Sequence, residues 1–344
     1  MKLLKSQGNI LKFSGKELKM GTEARMGSEW IKRVLVVGAG TMGHGIAMVF
    51  GLRGYEVDLM DISEEALDRS LRVIRSNLDT LKEERLIGSG EIRTTLPRIH
   101  PTLSLDVGAK ADFVVEVISE DPRAKRMLFH ALDQICPPGT IFASNTSYLN
   151  VFPYLKTKRS EKVVIAHWWA PPHLIPLVDV VRGPGTSPET VEIVRKLLLR
   201  LGKKPVVMKK FIPGYIVNRL QRAMAREIFY LLDGGYASAE EIDLAVKNSI
   251  GLRIPVVGVV QRYDFTGLDL ALSFEQNPSI HLVSKDRQPK TLVHLVKQGY
   301  LGVKSGKGFY DYSHRTAAEV MRERDRKLIA MMKFLKSPAM PKSG

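Results

Sequence analysis

The stretch Val34-Leu-Val-Val-Gly38-Ala-Gly40-Thr-Met-Gly43 constrains this chain most, because an apolar run of strand character leads straight into the three glycine positions of GxGxxG. Glycine there permits a tight turn, close approach of backbone to a pyrophosphate, and close packing of the following helix on its strand. A helix over 42–51 and a second apolar strand over 55–60 complete a βαβ unit. Asp61 closes that strand 23 positions after Gly38, where a carboxylate accepts from both ribose hydroxyls and repels a 2′-phosphate. The expectation is a dinucleotide site that takes NAD rather than NADP. The competing reading of the glycines is a strand turn with no ligand.

Beyond Asp61, apolar residues at Leu67, Leu71, Ile74, Leu78 and Leu81 recur at helical spacing toward Gly88, which reads as an added helical hairpin. Strands are expected over 113–118, 140–144, 163–167, 177–181 and 205–208, and helices over 125–134 and 187–201. After Lys210 strand signals become scarce. Ile216, Leu220, Met224, Ile228 and Leu231 keep a helical period, and Ser238 caps a further helix. The expected fold is α/β, a Rossmann-type mostly parallel sheet with a helical-hairpin insertion, followed by an all-α C-terminal domain. Domains are placed at 31–210 and 211–344. Residues 1–30 show no period and read as a flexible N-terminal extension. The stretch 317–336 reads as a helix that packs on the body or on a second subunit.

Composition sets outer limits. A chain of 344 residues suits two domains, and 44% apolar with 26% charged residues is ordinary for a globular protein. The lone Cys136 reads as a small buried residue; it rules out an internal disulfide or a multi-cysteine metal site and fits a reducing, cytoplasmic compartment. No apolar run approaches the roughly 18 residues that span a bilayer, so no membrane partner is expected. The formal charge of +16 suits either plain solubility or a polyanionic partner. The basic residues are scattered, without zinc-finger spacing or an RNA-binding aromatic signature, so no nucleic acid is expected. A dinucleotide or coenzyme A would use the same field.

His167 ends the apolar run 163–166, at the carboxyl end of a strand, where an open α/β sheet places its ligand crevice. A histidine in that position alone is more often structural. Asp179, twelve positions later on the next strand, changes the reading: a carboxylate can hold one imidazole nitrogen and leave the other to take a proton from an alcohol. The alternative for Asp179 is a sheet-edge carboxylate. Trp168 and Trp169 read as core filling beneath the cleft.

An ordered set of further motifs accompanies these residues: Gly38-Ala-Gly-Thr-Met-Gly-His-Gly-Ile-Ala, Val115-Glu-Val-Ile-Ser-Glu120, Ser144-Asn-Thr-Ser147, His167-Trp-Trp-Ala-Pro, Pro213-Gly-Tyr-Ile-Val-Asn218-Arg-Leu and Lys304-Ser-Gly-Lys-Gly-Phe-Tyr-Asp-Tyr312. Over residues 31–313 the chain resembles the short-chain L-3-hydroxyacyl-CoA dehydrogenases, including the 3-hydroxybutyryl-CoA dehydrogenases. The resemblance implies NAD-dependent oxidation of an (S)-3-hydroxyacyl-CoA in fatty-acid β-oxidation, and a homodimer joined through the helical domain. It implies His167 as general base, Asp179 as its orienting carboxylate, and Ser147 and Asn218 as polar groups near the reacting carbon. It further implies that Gly38, Gly40, Thr41, Met42, Gly43 and Asp61 hold NAD, with Glu120, Lys125 and Asn145 toward the nicotinamide.

Two departures bear on substrate. The family's usual His-Phe-Phe-Asn-Pro reads His167-Trp168-Trp169-Ala170-Pro171 here, so an amide is missing, and Asp179 stands one methylene short of the usual glutamate. Pro171-Pro-His-Leu-Ile-Pro176 also resembles a segment of the L-gulonate 3-dehydrogenase and lambda-crystallin branch, which implies a free hydroxy acid as an alternative substrate. A dinucleotide-binding protein without turnover is the third reading, motivated by Ala170 and Asp179.

Overall fold

The computed structural model describes residues 28–155, 157–280, 282–283 and 288–336; the extension expected over 1–30 lies outside the described residues but for its last three. The chain divides into two compact units between Tyr215 and Ile216.

In the first unit, strand β1 (Arg33–Val37), helix α1 (Gly43–Leu52) and strand β2 (Glu56–Met60) form the expected βαβ. Helices α2 (Glu64–Glu83) and α3 (Ser89–Thr95) make the added hairpin. Ser63 caps α2 by accepting from the Ala66 N–H, and Glu64 and Glu65 complement the positive end of the helix. Then follow β3 (Ile99–Thr102), β4 (Phe113–Glu116), α4 (Pro122–Ile135), β5 (Ile141–Ser144), β6 (Val163–Trp168), β7 (Leu177–Arg182), α5 (Pro188–Arg200) and β8 (Lys204–Met208).

The strands form one eight-stranded sheet in the order β3-β2-β1-β4-β5-β6-β7-β8, in which β6 and β7 are the antiparallel pair and β8 runs parallel to β7. Strands β1, β4, β5 and β6 are buried along almost their whole length, as expected where helices cover both faces. Val36, Ile46, Phe50, Val114, Phe142 and Ile165 are among the fully buried residues of this core. The order reverses between β1 and β4, so the crevice opens at their carboxyl ends. Register brings Val37 beside Glu116, and Glu116 beside Ser144. The glycine loop, Glu116, Asn145 and His167 thus follow one edge of the sheet.

Strand β3 is absent from the sequence-based set of strands. Its four residues include Pro101, which gives no ladder donor and is compatible only with an edge, where β3 lies.

The second unit contains α6 (Val217–Asp233), α7 (Ala239–Lys247), α8 (Ile250–Val257), α9 (Arg262–Thr266), α10 (Leu268–Glu275), α11 (Lys290–Lys297) and α12 (Ala317–Leu335). Ser238 and Thr316 each form a capping box, with Glu241 and Glu319. Asp233 accepts from the Lys290 and Thr291 N–H groups and so ties α6 to the start of α11. Leu252, Leu268, Leu270, Leu272 and Phe274 on α8 and α10 are exposed apolar side chains. Among the described residues no helix is long and apolar enough to cross a membrane.

Candidate active site

The glycine loop is built for backbone contact. A Cβ on Gly38, whose φ is +110°, would stand 2.7 Å from the Val117 carbonyl oxygen, and one on Gly43 would stand 1.7 Å from the Gly38 oxygen. Neither position tolerates a side chain. At Gly40 a Cβ would meet nothing within 4 Å. Gly40 and Thr41 form the exposed crest of the loop, and Met42 leads into α1. Both backbone groups of Ala39 are held: its N–H donates to Asp61 Oδ2 at 2.7 Å, and its carbonyl accepts from Ser70 Oγ. Asp61 Oδ1 accepts from the Ser63 N–H. Asp61 therefore fixes the loop's shape as well as standing at the end of β2.

A buried ionic network lies beside the loop. Glu116, fully buried on β4, accepts from Lys125 Nζ and from Ser144 Oγ, each at 2.6 Å, and from the Ile118 N–H at 2.9 Å. Burial pushes the Glu116 carboxyl above the ordinary range, against the opposing pull of Lys125. Lys125 Nζ also lies 3.8 Å from Glu120. Glu120 Oε2 accepts from Thr146 Oγ1 at 2.7 Å, and Oε1 accepts from the Ser147 N–H. Asn145 Oδ1 accepts from the Trp168 N–H at 2.8 Å, joining β5 to β6. Lys125 is thus a buried cation on α4.

His167 and Asp179 are directly opposed register partners on β6 and β7, with Nδ1 and Oδ2 at 3.2 Å. Both are buried, at 5% and 1% exposed, so the pair is shielded from solvent screening. The Tyr215 ring lies 5.1 Å from the imidazole, and its hydroxyl donates to the Thr146 carbonyl at 2.7 Å. Burial, together with Glu120 and Asp179, holds the Tyr215 phenol well above its usual range. After His167 the chain runs through the exposed Ala170 into 171–176, where Lys203 Nζ donates to the Pro172 carbonyl and to the Ile175 carbonyl at 2.9 Å. Burial lowers the Lys203 ammonium from 10.5 to about 8.

His167, Asp179, Ser147, Asn145, Glu120 and Lys125 belong to the first unit, at one end of its sheet. Asn218 is the second residue of α6, in the helical unit.

Comparison with known proteins follows the same division. Residues 33–211 match the 3-hydroxyacyl-CoA dehydrogenase, NAD binding domain, and residues 214–312 match the 3-hydroxyacyl-CoA dehydrogenase, C-terminal domain. The chain belongs to the 3-hydroxyacyl-CoA dehydrogenase family. It is 37% identical to the probable 3-hydroxybutyryl-CoA dehydrogenase of Bacillus subtilis over 83% of this chain and 99% of that protein. It is 31% identical to the 5-formyl-3-hydroxy-2-methylpyridine 4-carboxylate 5-dehydrogenase of Mesorhizobium japonicum, over 89% and 98%. A crystal structure of an enzyme of that latter activity, described as an NAD+ dependent dismutase, superposes with a TM-score of 0.80 at 28% identity, covering 89% of this chain and 99% of that one. The (S)-3-hydroxybutyryl-CoA dehydrogenase of Ralstonia eutropha superposes with a TM-score of 0.65 at 31% identity, covering 82% and 99%.

Membership in this NAD-dependent family agrees with the loop geometry. The open space at Gly40, between two glycines that admit no Cβ, fits a pyrophosphate against bare backbone at the start of α1. Three residues escaped the sequence reading as parts of the site. Glu116 is the last residue of the apolar strand β4. Lys203 lies between α5 and β8, and Trp169, read as core filling, donates its indole N–H to Asp179 Oδ2 at 3.0 Å. No local pattern announces any of them, because the side-chain partners of Glu116 and Trp169 and the carbonyls that hold Lys203 lie 9 or more positions away.

Proposed function

We propose that this protein oxidises the 3-hydroxyl of an (S)-3-hydroxyacyl-CoA to the 3-oxoacyl-CoA, with His167 as general base. The observation that carries the reading is the His167–Asp179 pair, buried at the carboxyl end of β6. With Nδ1 turned to the carboxylate, Nε2 is the nitrogen left to accept the hydroxyl proton, and Asp179 stabilises the imidazolium that results. NAD, when bound, supplies the hydride acceptor.

The remaining roles follow the same reading. Gly38, Gly40, Thr41, Met42 and Gly43 receive the pyrophosphate, and Asp61 the adenosine ribose. Glu120 and Asn145 face the nicotinamide side, and Lys125 serves there by fixing Glu116 and Glu120. Ser147 and Asn218 supply hydrogen bonds to the developing alkoxide. The domain spanning 31–210 binds NAD, and 211–344 closes on substrate and forms a homodimer. The exposed apolar residues of α8 and α10 support the dimer. A cytoplasmic enzyme of fatty-acid β-oxidation accommodates the lone, buried Cys136, whose thiol burial pushes up to about 11.

A second reading has its own support. The similarity to the pyridine carboxylate dehydrogenase extends over more of this chain than that to the butyryl-CoA enzymes. Ala170 offers no amide to a thioester substrate. A free hydroxy acid is the substrate in that case.

The test is NADH formation by purified protein with (S)-3-hydroxybutyryl-CoA, longer (S)-3-hydroxyacyl-CoAs, L-gulonate and free 3-hydroxybutyrate. Turnover of thioesters is expected. Turnover of a free acid alone supports the second reading, and NAD binding without any turnover contradicts both.

A further inference from the structure

We propose that Trp169 is a positioning residue for the catalytic pair, acting on His167 through Asp179. The inference rests on the reading of His167 as base and adds a third member that composition and spacing do not reveal.

Three observations support it. Trp169 Nε1 donates to Asp179 Oδ2 at 3.0 Å, the same oxygen that His167 Nδ1 approaches at 3.2 Å. Asp179 Oδ1 is buried and has no hydrogen-bond partner among the described residues. The Trp169 ring meets the imidazole edge-on, with centroids 5.0 Å apart. Trp169 therefore touches both members of the pair, one by a hydrogen bond and one by packing.

The geometry gives the indole two tasks. A carboxylate one methylene from its backbone can pivot about its side-chain torsions, and an imidazole at 3.2 Å is a long partner for a charge-assisted hydrogen bond. The indole N–H provides a second anchor, set by a rigid ring whose own position is fixed by the strand end. It turns Oδ2, rather than Oδ1, toward the imidazole. It also draws charge from that oxygen, so the pair holds the abstracted proton less tightly than an unshared aspartate would.

The groups facing the trio are few. The Tyr215 ring lies tilted against His167 and its phenol stays neutral, and Glu120 and Asp179 are acidic groups that act on that phenol. On β8 the register partner of Asp179 is Val206, which does not titrate.

Trp169→Phe keeps an aromatic ring and removes the indole donor together with the volume of one ring, so the comparison in the Asp179→Ala background isolates the donor's share. Its kcat is expected to fall roughly 10- to 100-fold, the scale of one hydrogen bond to a charged group, with NAD affinity unchanged. The acid limb of its pH–rate profile is expected to move to higher pH. In an Asp179→Ala background the same substitution is expected to have no further effect on kcat. An equal loss in both backgrounds, or an unmoved acid limb, overturns the proposal, whereas an inactive His167→Ala protein leaves the general-base reading standing on its own.

A readout in the unmodified full-length protein covers the case in which Trp169→Phe fails to fold. The chain has three tryptophans, so a 15N-tryptophan-labelled sample has three indole N–H signals. One is expected well downfield of the other two, as an indole N–H bonded to a carboxylate. Three indole signals at ordinary positions would overturn the assignment without reference to any substrate.

Discussion

His167 and Asp179 face each other as register partners across β6 and β7, so the pairing of imidazole and carboxylate is set by strand hydrogen bonding. Directly opposed residues of an antiparallel pair bring their side chains together on one face. A carboxylate as short as aspartate reaches the ring because the sheet delivers it there. Asp179→Asn preserves the shape and removes the charge. Its kcat is expected to drop by about 10²-fold or more, with KM for NAD near that of the parent, measured in steady-state assays.

The two ends of the glycine loop should respond differently to one methyl group. Gly40→Ala adds a Cβ that touches no protein atom, so its melting temperature should match the parent while its Kd for NAD rises roughly tenfold. Gly43→Ala drives a Cβ into the Gly38 carbonyl and should destabilise the fold itself. Calorimetric titration beside thermal unfolding separates the two effects. Equal behaviour of the two variants would contradict a ligand-facing crest at Gly40.

Lys125 is expected to matter for stability first. Lys125→Met leaves the Glu116 carboxylate buried without its cation, which costs about 3–5 kcal/mol in comparable buried pairs. The double variant Lys125→Met with Glu116→Gln should recover most of that loss in denaturant unfolding. Recovery of stability without recovery of NAD affinity would place Lys125 among the cofactor contacts.

Lys203 makes stability depend on alkaline pH. Burial, reinforced by Arg53, lowers its folded pKa from 10.5 to about 8. Between those values the unfolded chain keeps a proton that the folded chain has released, so this residue's contribution makes stability rise with pH across that window. Lys203→Met should lose this rise. The variant should also be less stable at neutral pH, by about 1–3 kcal/mol, because the Pro172 and Ile175 carbonyls lose their donor. Denaturant unfolding at pH 7, 8, 9 and 10 checks both points.

Apolar runs of four or five residues ending at glycine or a polar residue made the buried strands legible, and the cap at Ser238 made the start of its helix legible. Strand β3 was not, because a proline interrupts a run that is already short and lies at the sheet edge. The entry of β7 antiparallel to β6 was hidden too, since alternation gives a strand's faces but not its direction. In the site, spacing pointed to His167 and Asp179 because strand ends are visible in sequence. The network of Glu116, Lys125 and Ser144 was not visible, because it depends on the register of β4 with β5 and on the face that α4 turns inward. Trp169 is the sharpest case: a large aromatic beside a strand end reads as core, and only the position of its Nε1 relative to Asp179 distinguishes the two.

His167→Ala, assayed for NADH formation on (S)-3-hydroxybutyryl-CoA alongside NAD binding, tests the general base most directly. A loss of roughly 10²–10⁴ in kcat with NAD affinity unchanged is the expected result. Turnover near the parent value, or loss of NAD binding in a folded variant, would contradict a proton-accepting role and make His167 a structural residue of the sheet.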